Sequence, residues 1–255
     1  MTPHRPSPRP FSRGRSPRWR RDLPVQLAVI AAGGAYVLNS AILGRLFSAD
    51  ERRRLAIEHA RRLVDLERAL HLFNEHALYR LAHTDRLVGL AANGIYLFLH
   101  LPLIVLIAVW LYSRQRPLFV LMRDAMLISG LIALACEYYP VAPPHLVPDL
   151  GFTNLAASRL YNAVEPKAGF DVYGALPSIH VGWALLMGLC LCWRGPRLIG
   201  PLAGAALPIA MAFAVAATGN HYHLDSITGV LAALVGLWLS RWHSHAITAA
   251  PVDGR

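Results

Sequence analysis

Two short segments of this chain combine histidine with neighbouring residues that could support chemistry. The first reads PSIH at residues 177–180, and the second reads HYHLD at residues 221–225. Each opens an apolar run that predicts a membrane-spanning helix, so each is expected at a membrane surface. Ionisable groups in such places are costly to desolvate and are therefore functional candidates. If both runs cross the membrane, the two segments lie on the same side, which predicts one active site built from two distant parts of the chain.

The first segment has the features of an anion-binding helix start. Pro177 is expected at the first helical position, where its missing N–H has no consequence. The backbone N–H groups that follow have no partner within the helix, and together with the helix dipole they attract phosphate or another anion. Ser178 would add a hydroxyl donor, and His180 a proton donor from the same turn. The alternative is that Pro and Ser begin this helix for structural reasons alone.

The second segment places His221 and Asp225 four residues apart, which puts them on one face if the helix begins near Asn220. A carboxylate bonded to one imidazole nitrogen fixes the tautomer and leaves the other nitrogen free to attack or to accept a proton. One alternative is that the two residues only cap the helix. Another is a metal site of His221, His223 and His180, which requires an extended segment because residues two apart on a helix do not face each other.

Together the two segments supply a nucleophile, its orienting acid, a proton donor and an anion-binding helix start. These are the parts that phosphoryl transfer requires when no metal takes part. We therefore predict phosphoryl chemistry that uses no metal and no cofactor.

The elements that must position these residues are apolar. Of the 255 residues, 55% are hydrophobic, and the mean hydropathy is +0.38. A helix needs ~20 mainly apolar residues to cross ~30 Å of hydrocarbon. We therefore predict an all-α integral membrane helical bundle with about six transmembrane helices. The apolar runs that predict them are residues 23–44, 87–113, 125–136, 178–193, 198–221 and 226–240. His100 lies inside the second run and is interpreted as a packed, hydrogen-bonded histidine, with a position lining a lipid-headgroup cavity as the alternative.

The charge pattern predicts the orientation of the bundle. The net charge of +10 could indicate a nucleic-acid partner, but the arginines cluster in short segments beside alternate ends of the apolar runs. Such segments stay on the cytoplasmic side, so we predict no nucleic-acid partner. The N-terminus, the loop at 113–123 and the C-terminus are then cytoplasmic. The segment at 141–174 and the active site face outward from what we expect to be a bacterial-type plasma membrane.

The segment at 45–86 is rich in arginine but carries acids as well, so it is nearly neutral. Its apolar residues recur at helical spacing, which predicts an amphipathic helix lying on the bilayer or over the helix bundle. These residues are Ala56, Ala60, Leu63, Leu66, Leu70, Phe73 and Ala77. The expected organisation is a disordered basic tail at 1–22, a membrane domain at 23–245 and a short C-terminal tail at 246–255.

These motifs resemble those of the type 2 phosphatidic acid phosphatase superfamily, and most of all its inositol phosphorylceramide synthase-like branch. The sequence ALPSIH at 175–180 is similar to the second signature of the superfamily, and His221 with Asp225 is similar to the third. Tyr222, Gly229 and the proline-rich segment at 139–144 resemble features of the branch. The resemblance covers roughly residues 63–242.

The resemblance implies a function and a role for each residue. His221 would be the nucleophile that forms a phosphohistidine, and Asp225 would hold it. His180 would protonate the leaving lipid alkoxide, and Ser178 would bind a phosphoryl oxygen. The implied substrate is a lipid phosphate, a lipid pyrophosphate or a phospholipid headgroup among the membrane lipids. The acceptor would be water or an alcohol such as inositol. The family works without a metal, often at the outer membrane face.

Three departures concern the cations that hold the phosphate. The Lys and Arg-Pro pair of the superfamily's first signature is absent, and His145 stands where the branch often has Arg. Ala214 and Val215 replace the Ser-Arg upstream of the third signature. The remaining candidates for contacts to the substrate are His145, Lys167, Arg159, Arg123 and Tyr222. The alternative function is a non-catalytic membrane protein that binds or moves an anionic lipid.

Overall fold

The computed structural model describes residues 18–155 and 172–249, and its helices coincide with the apolar runs except for two helices between residues 49 and 84. The helices are α1 (Arg18–Leu46), α2 (Ala49–Ala69), α3 (Glu75–Thr84), α4 (Arg86–Gly94), α5 (His100–Arg114), α6 (Arg116–Cys136), α7 (Ile179–Arg194), α8 (Ile199–Ala217) and α9 (His223–Ala249). A π-helical turn, Ile95–Leu99, joins α4 to α5, and two 3-10 turns, Pro144–Leu146 and Pro148–Leu150, follow α6. The described residues contain no strand, so the predicted all-α class is confirmed.

The chain forms two compact units, residues 1–38 and residues 39–255. The described part of the first unit is the beginning of α1, which exposes large apolar side chains such as Ile30 and Val37. The second unit contains the helical bundle and both histidine segments.

Several helices of the chain are apolar enough to cross a membrane. Within residues 18–155 and 172–249, three helices qualify by length and composition, namely α6, α8 and the first twenty residues of α9. The number rises to five if each of two bent helix pairs forms one span. The apolar helix α7 has 16 residues, which is ~24 Å and short of the ~30 Å of a bilayer core. The chain is thus an integral membrane protein with a helical bundle.

Glycines let the central helices of the bundle approach closely. A Cβ on Gly188 of α7 would collide with the carbonyl oxygen of Gly204 on α8, and a Cβ on Gly204 would collide with that of Gly188. Small residues at helix interfaces have this role in membrane proteins, because lipid provides little hydrophobic force between helices. The close packing holds α7, which carries His180, against α8, which leads to His221.

The segment at 45–86 differs from the expected single amphipathic helix. It forms two helices, α2 and α3, and the predicted stripe is wrong at Leu66 and Leu70, which are each 52% exposed. The buried face of α2 consists of Ala56, Ala60, Val64 and Glu67. The amide of Ala142 donates to the carbonyl of Ala56 at 3.0 Å, so α2 packs over the protein. Because α2 carries charged residues throughout, its composition favours the membrane surface over the hydrocarbon.

The third apolar run extends further than the sequence predicted. The predicted loop at 113–123 is reduced to a turn at Gln115, because α6 begins at Arg116. Arg123 therefore lies inside a helix. Its Nη2 forms an ion pair with Asp124 at 2.6 Å, and both side chains are largely buried. The neighbouring carboxylate balances the charge of this arginine within the apolar helix.

Candidate active site

The start of α9 is built around Asp225. The helix begins at His223, so the condition of a start near Asn220 is not met and His221 lies before the helix. Tyr222 precedes the first helical residue, and Asp225 occupies the third helical position. The Asp225 carboxylate accepts the Tyr222 amide at 2.9 Å, which satisfies one of the N–H groups that a helix start leaves unpaired. Asp225 and Tyr222 are fully buried, so this helix start is rigidly held.

His221 lies just before the helix and turns back over Asp225. Its Nδ1 is 2.8 Å from the carbonyl oxygen of Ala175 and 3.3 Å from Oδ2 of Asp225. Both partners are acceptors, so Nδ1 carries a hydrogen and the lone pair of the neutral ring lies on Nε2. The shorter contact is with Ala175, so this backbone carbonyl contributes strongly to fixing the tautomer of His221.

The first segment is joined directly to the second. Pro177 does not occupy the first helical position, because α7 begins at Ile179 with Ser178 as its N-cap. The amide of Ser178 donates to the main-chain carbonyl of Asp225 at 2.8 Å. A Cβ on Gly229 would collide with the carbonyl oxygen of Ser178, so glycine is needed for this approach. The predicted meeting of the two distant segments is thus confirmed.

The start of α7 offers several unused donors. The first hydrogen bond within the helix runs from the amide of Gly182 to the carbonyl of Ser178. The amides of Ile179, His180 and Val181 precede it and have no partner inside the helix. The hydroxyl of Ser178 is buried and makes no hydrogen bond. These groups and the helix dipole can hold an oxyanion.

His180 lies between His221 and a third histidine. The ring centroids of His180 and His221 are 5.5 Å apart, and those of His180 and His100 are 4.6 Å apart. The ring of Tyr96, in the π-helical turn before α5, has its centroid 4.9 Å from that of His180. His100 is packed as expected, but its buried Nδ1 lacks the expected hydrogen bond, and Nδ1 of His180 is unpaired as well. The histidine inside the predicted second span therefore belongs to the same cluster.

His145 approaches the cluster from the loop after α6. Its Nδ1 is 2.9 Å from the carbonyl oxygen of Gly219, which also accepts the His145 amide. Gly219 has a φ of 74°, a conformation that favours glycine and turns the chain between α8 and His221. Burial lowers the pKa of His145, the carbonyl of Gly219 opposes this shift, and charge on His221 lowers the pKa further. Because Nδ1 faces a carbonyl, the other ring nitrogen of His145 is left to meet a ligand.

Among the described residues, Arg123 and Tyr222 do not bring their side chains into this cluster. Arg123 lines a pocket with Met187 and Cys190, and Cys190 is ~15 Å along α7 from His180. Arg159 and Lys167 lie outside the described residues. Tyr222 uses its hydroxyl to donate to the carbonyl of Ala142 at 3.1 Å and is buried in the protein.

His223 points away from His221 and His180. Its Nε2 lies 2.5 Å from Oδ1 of Asn74, and its backbone amide donates a hydrogen bond to Oε1 of Glu75. Within residues 18–155 and 172–249, no group of three histidine, cysteine or acidic side chains has the arrangement of a metal site. The alternative of a metal held by three histidines thus has no assembled ligand set in the described chain.

A sequence model of the PAP2 superfamily matches residues 61–239, a range that contains the whole histidine cluster. The chain belongs to the PAP2 superfamily. Membership in the PAP2 superfamily supports a phosphatase-type activity on a lipid phosphate. No curated protein and no solved structure gives a significant match to the chain.

Sequence reasoning missed two acidic residues behind the cluster. Glu67 on α2 and Glu75 on α3 are fully buried, and their carboxylates accept the amides of Leu224 and His223. One signal was available, because Glu67 continues the buried spacing of Ala56, Ala60 and Val64. An acidic residue on the buried face of an amphipathic helix indicates a specific partner.

Proposed function

We propose that this protein cleaves a membrane lipid phosphate or pyrophosphate through a phosphohistidine formed at His221. The observation that carries the proposal is the setting of His221. Its Nδ1 faces two acceptors at 2.8 Å and 3.3 Å, which leaves Nε2 as the nucleophile, and the ring of His180 lies 5.5 Å away between centroids. A nucleophile with an orienting group and a nearby proton carrier is the arrangement that covalent catalysis requires.

In the first half-reaction, Nε2 of His221 attacks the terminal phosphorus and the bond from phosphorus to the leaving oxygen breaks. This oxygen belongs to the lipid alcohol in a lipid phosphate and to the lipid phosphate in a pyrophosphate. Protonated His180 gives its proton to the departing oxygen. The negative charge of Asp225 stabilises the positive charge that develops on the His221 ring. The hydroxyl of Ser178 and the first amides of α7 bind the phosphoryl oxygens.

In the second half-reaction, water or an alcohol attacks the phosphohistidine. His180, now neutral, accepts the proton of the attacking oxygen, and the bond between phosphorus and Nε2 breaks. Free phosphate or a new phosphate monoester of the alcohol leaves, and both histidines return to their starting states. Since the first half-reaction is shared, the acceptor decides between hydrolysis and transfer. An alcohol acceptor such as inositol, as in the inositol phosphorylceramide synthase-like branch, is our proposal for transfer.

The phosphate also needs positive charge, and we propose that His145 supplies part of it. Its ring is anchored to the carbonyl of Gly219, which lies two residues before His221 in the chain. When protonated, the free nitrogen of His145 becomes a donor to a phosphoryl oxygen. Lys167 and Arg159 are proposed as further cations, and the outer membrane face is proposed as the location, because the arginine pattern predicts it.

The direct test is to incubate the purified protein with a panel of lipid phosphates, with and without inositol. Released phosphate would demonstrate hydrolysis, and a phosphate monoester of inositol would demonstrate transfer. The matched variants are His221→Ala and His83→Ala, since His83 is an exposed histidine of α3. We expect no product from the first and wild-type product from the second. Binding of the lipids without any product would support the non-catalytic alternative.

A further inference from the structure

Two buried carboxylates reach the start of α9 from different helices. Oε1 of Glu75 accepts the amide of His223 at 2.8 Å, and Oε1 of Glu67 accepts the amide of Leu224 at 2.6 Å. Both side chains are fully buried. They satisfy the first two amides of α9, while Asp225 satisfies the amide of Tyr222. The backbone that carries His221 and Asp225 is therefore held by three carboxylates within one helical turn.

Three ionised carboxylates in one buried turn would repel one another. The helix dipole favours only about half a negative charge at its start, and of the three only Asp225 contacts His221. The other oxygens of Glu67 and Glu75, the Oε2 atoms, are buried and have no hydrogen-bond partner. Nearby titratable groups are Asp225, Tyr222 and His223, whose Nε2 is 3.9 Å from Glu75. A single proton between the two glutamates would give both Oε2 atoms a partner and remove one charge.

We propose that Glu67 and Glu75 share one proton and act as positioning residues that hold the start of α9, and with it His221 and Asp225, in the active geometry. This inference rests on the proposed phosphatase function. Burial, the largest cause, and the neighbouring carboxyl of Glu75 raise the pKa of Glu67 to about 9. The shared proton is present below that pH and is lost above it. Two adjacent ionised carboxylates then repel each other and Asp225, which loosens the helix start and lowers activity.

The substitution Glu67→Gln separates this role from simple packing. A glutamine amide can accept from the Leu224 amide with its oxygen and donate to Glu75 with its nitrogen, so it mimics the protonated form at every pH. Glu67→Ala removes the cap and leaves the Leu224 amide buried without a partner. Glu58→Gln is the matched control, because Glu58 lies on the same helix but is exposed and pairs with Arg62.

The first measurement is the rate of phosphate release between about pH 6 and pH 10. At pH 10, one pH unit above the pKa of Glu67, ~90% of the shared protons are lost. A nitrophenyl phosphate is the substrate, because its leaving group needs little help from His180. Wild type and Glu58→Gln should lose ~10-fold between neutral pH and pH 10, whereas Glu67→Gln should keep most of its neutral rate. Glu67→Ala should be slow at every pH. If the rates of wild type and Glu67→Gln fall equally as the pH rises to 10, the proposal is overturned.

The second measurement does not depend on activity. Infrared difference spectra between neutral and alkaline pH detect the C=O stretch of a protonated carboxyl. The band should disappear at high pH in wild type and in Glu58→Gln, and it should be absent from Glu67→Gln. An inactive wild-type protein that shows this band would refute the proposed function but support the shared proton. An active wild type whose band is unchanged in Glu67→Gln would refute the shared proton alone.

Discussion

The substitution Asp225→Asn isolates the charge of this residue from its hydrogen bonds. One oxygen, Oδ2, accepts both the Tyr222 amide at 2.9 Å and His221 Nδ1 at 3.3 Å. An asparagine oxygen in the same place keeps both bonds, and the Ala175 carbonyl at 2.8 Å still fixes the tautomer. The substitution removes the attraction between the carboxylate and the positive charge that develops on the His221 ring during the reaction. At 3.3 Å and an effective dielectric constant of ~20, two unit charges attract by ~5 kcal/mol.

Partial charge development leaves roughly 3–4 kcal/mol of this attraction in the transition state, so we expect kcat to fall ~10²–10³-fold. The assay is phosphate release by purified Asp225→Asn, with thermal unfolding of the same sample to verify the fold. Asp225→Ala is the comparison, because it also leaves the buried Tyr222 amide unpaired, at a cost of ~1–3 kcal/mol in stability. A rate within about threefold of wild type would show that the charge has no role. A loss beyond ~10⁴-fold with an intact fold would show that the carboxylate, and not Ala175, sets the tautomer.

Three further predictions concern the proton donor, metals and topology. His180→Ala should slow lipid phosphates by ~10²–10⁴-fold yet spare a nitrophenyl phosphate, whose leaving group needs little protonation; equal losses on both substrates would contradict a role as the proton donor. Activity should survive EDTA, and complete loss that one divalent ion restores would instead favour a metal held by His180, His221 and His223. A cysteine introduced near Asn154 should be labelled by an impermeant reagent in intact cells, and labelling only after permeabilisation would reverse the proposed orientation.

The sequence predicted the class of fold and the meeting of the histidine segments, because both depend on patterns that are local in the chain. Long apolar runs require helices in a membrane. The segments at 177–180 and 221–225 begin two of these runs, which places them at the same end of the bundle. The helix boundaries were less accurate. His221 precedes α9 and Pro177 precedes α7, since the Asp225 cap and the Ser178 N-cap decide where each helix starts.

The rest of the site depends on contacts between distant residues, which no local pattern reveals. The Ala175 carbonyl and the Gly219 carbonyl orient His221 and His145 through the backbone, so any residue type could provide these bonds. Glu67 lies 157 residues from the Leu224 amide that it accepts. The exposure of Leu66 also depends on distant contacts. The hydrophobic spacing of α2 is compatible with burial of either of two helix faces, and packing against the loop at 141–147 buries the face that does not contain Leu66.

The central claim is that His221 becomes phosphorylated, and trapping the phosphoenzyme tests it most directly. Labelled lipid phosphate is mixed with the protein and quenched rapidly, and the protein is then tested for bound phosphate that is labile in acid and stable in base. We predict such phosphate in wild type and in His83→Ala and none in His221→Ala. Equal phosphoprotein in wild type and His221→Ala would rule out His221 as the nucleophile.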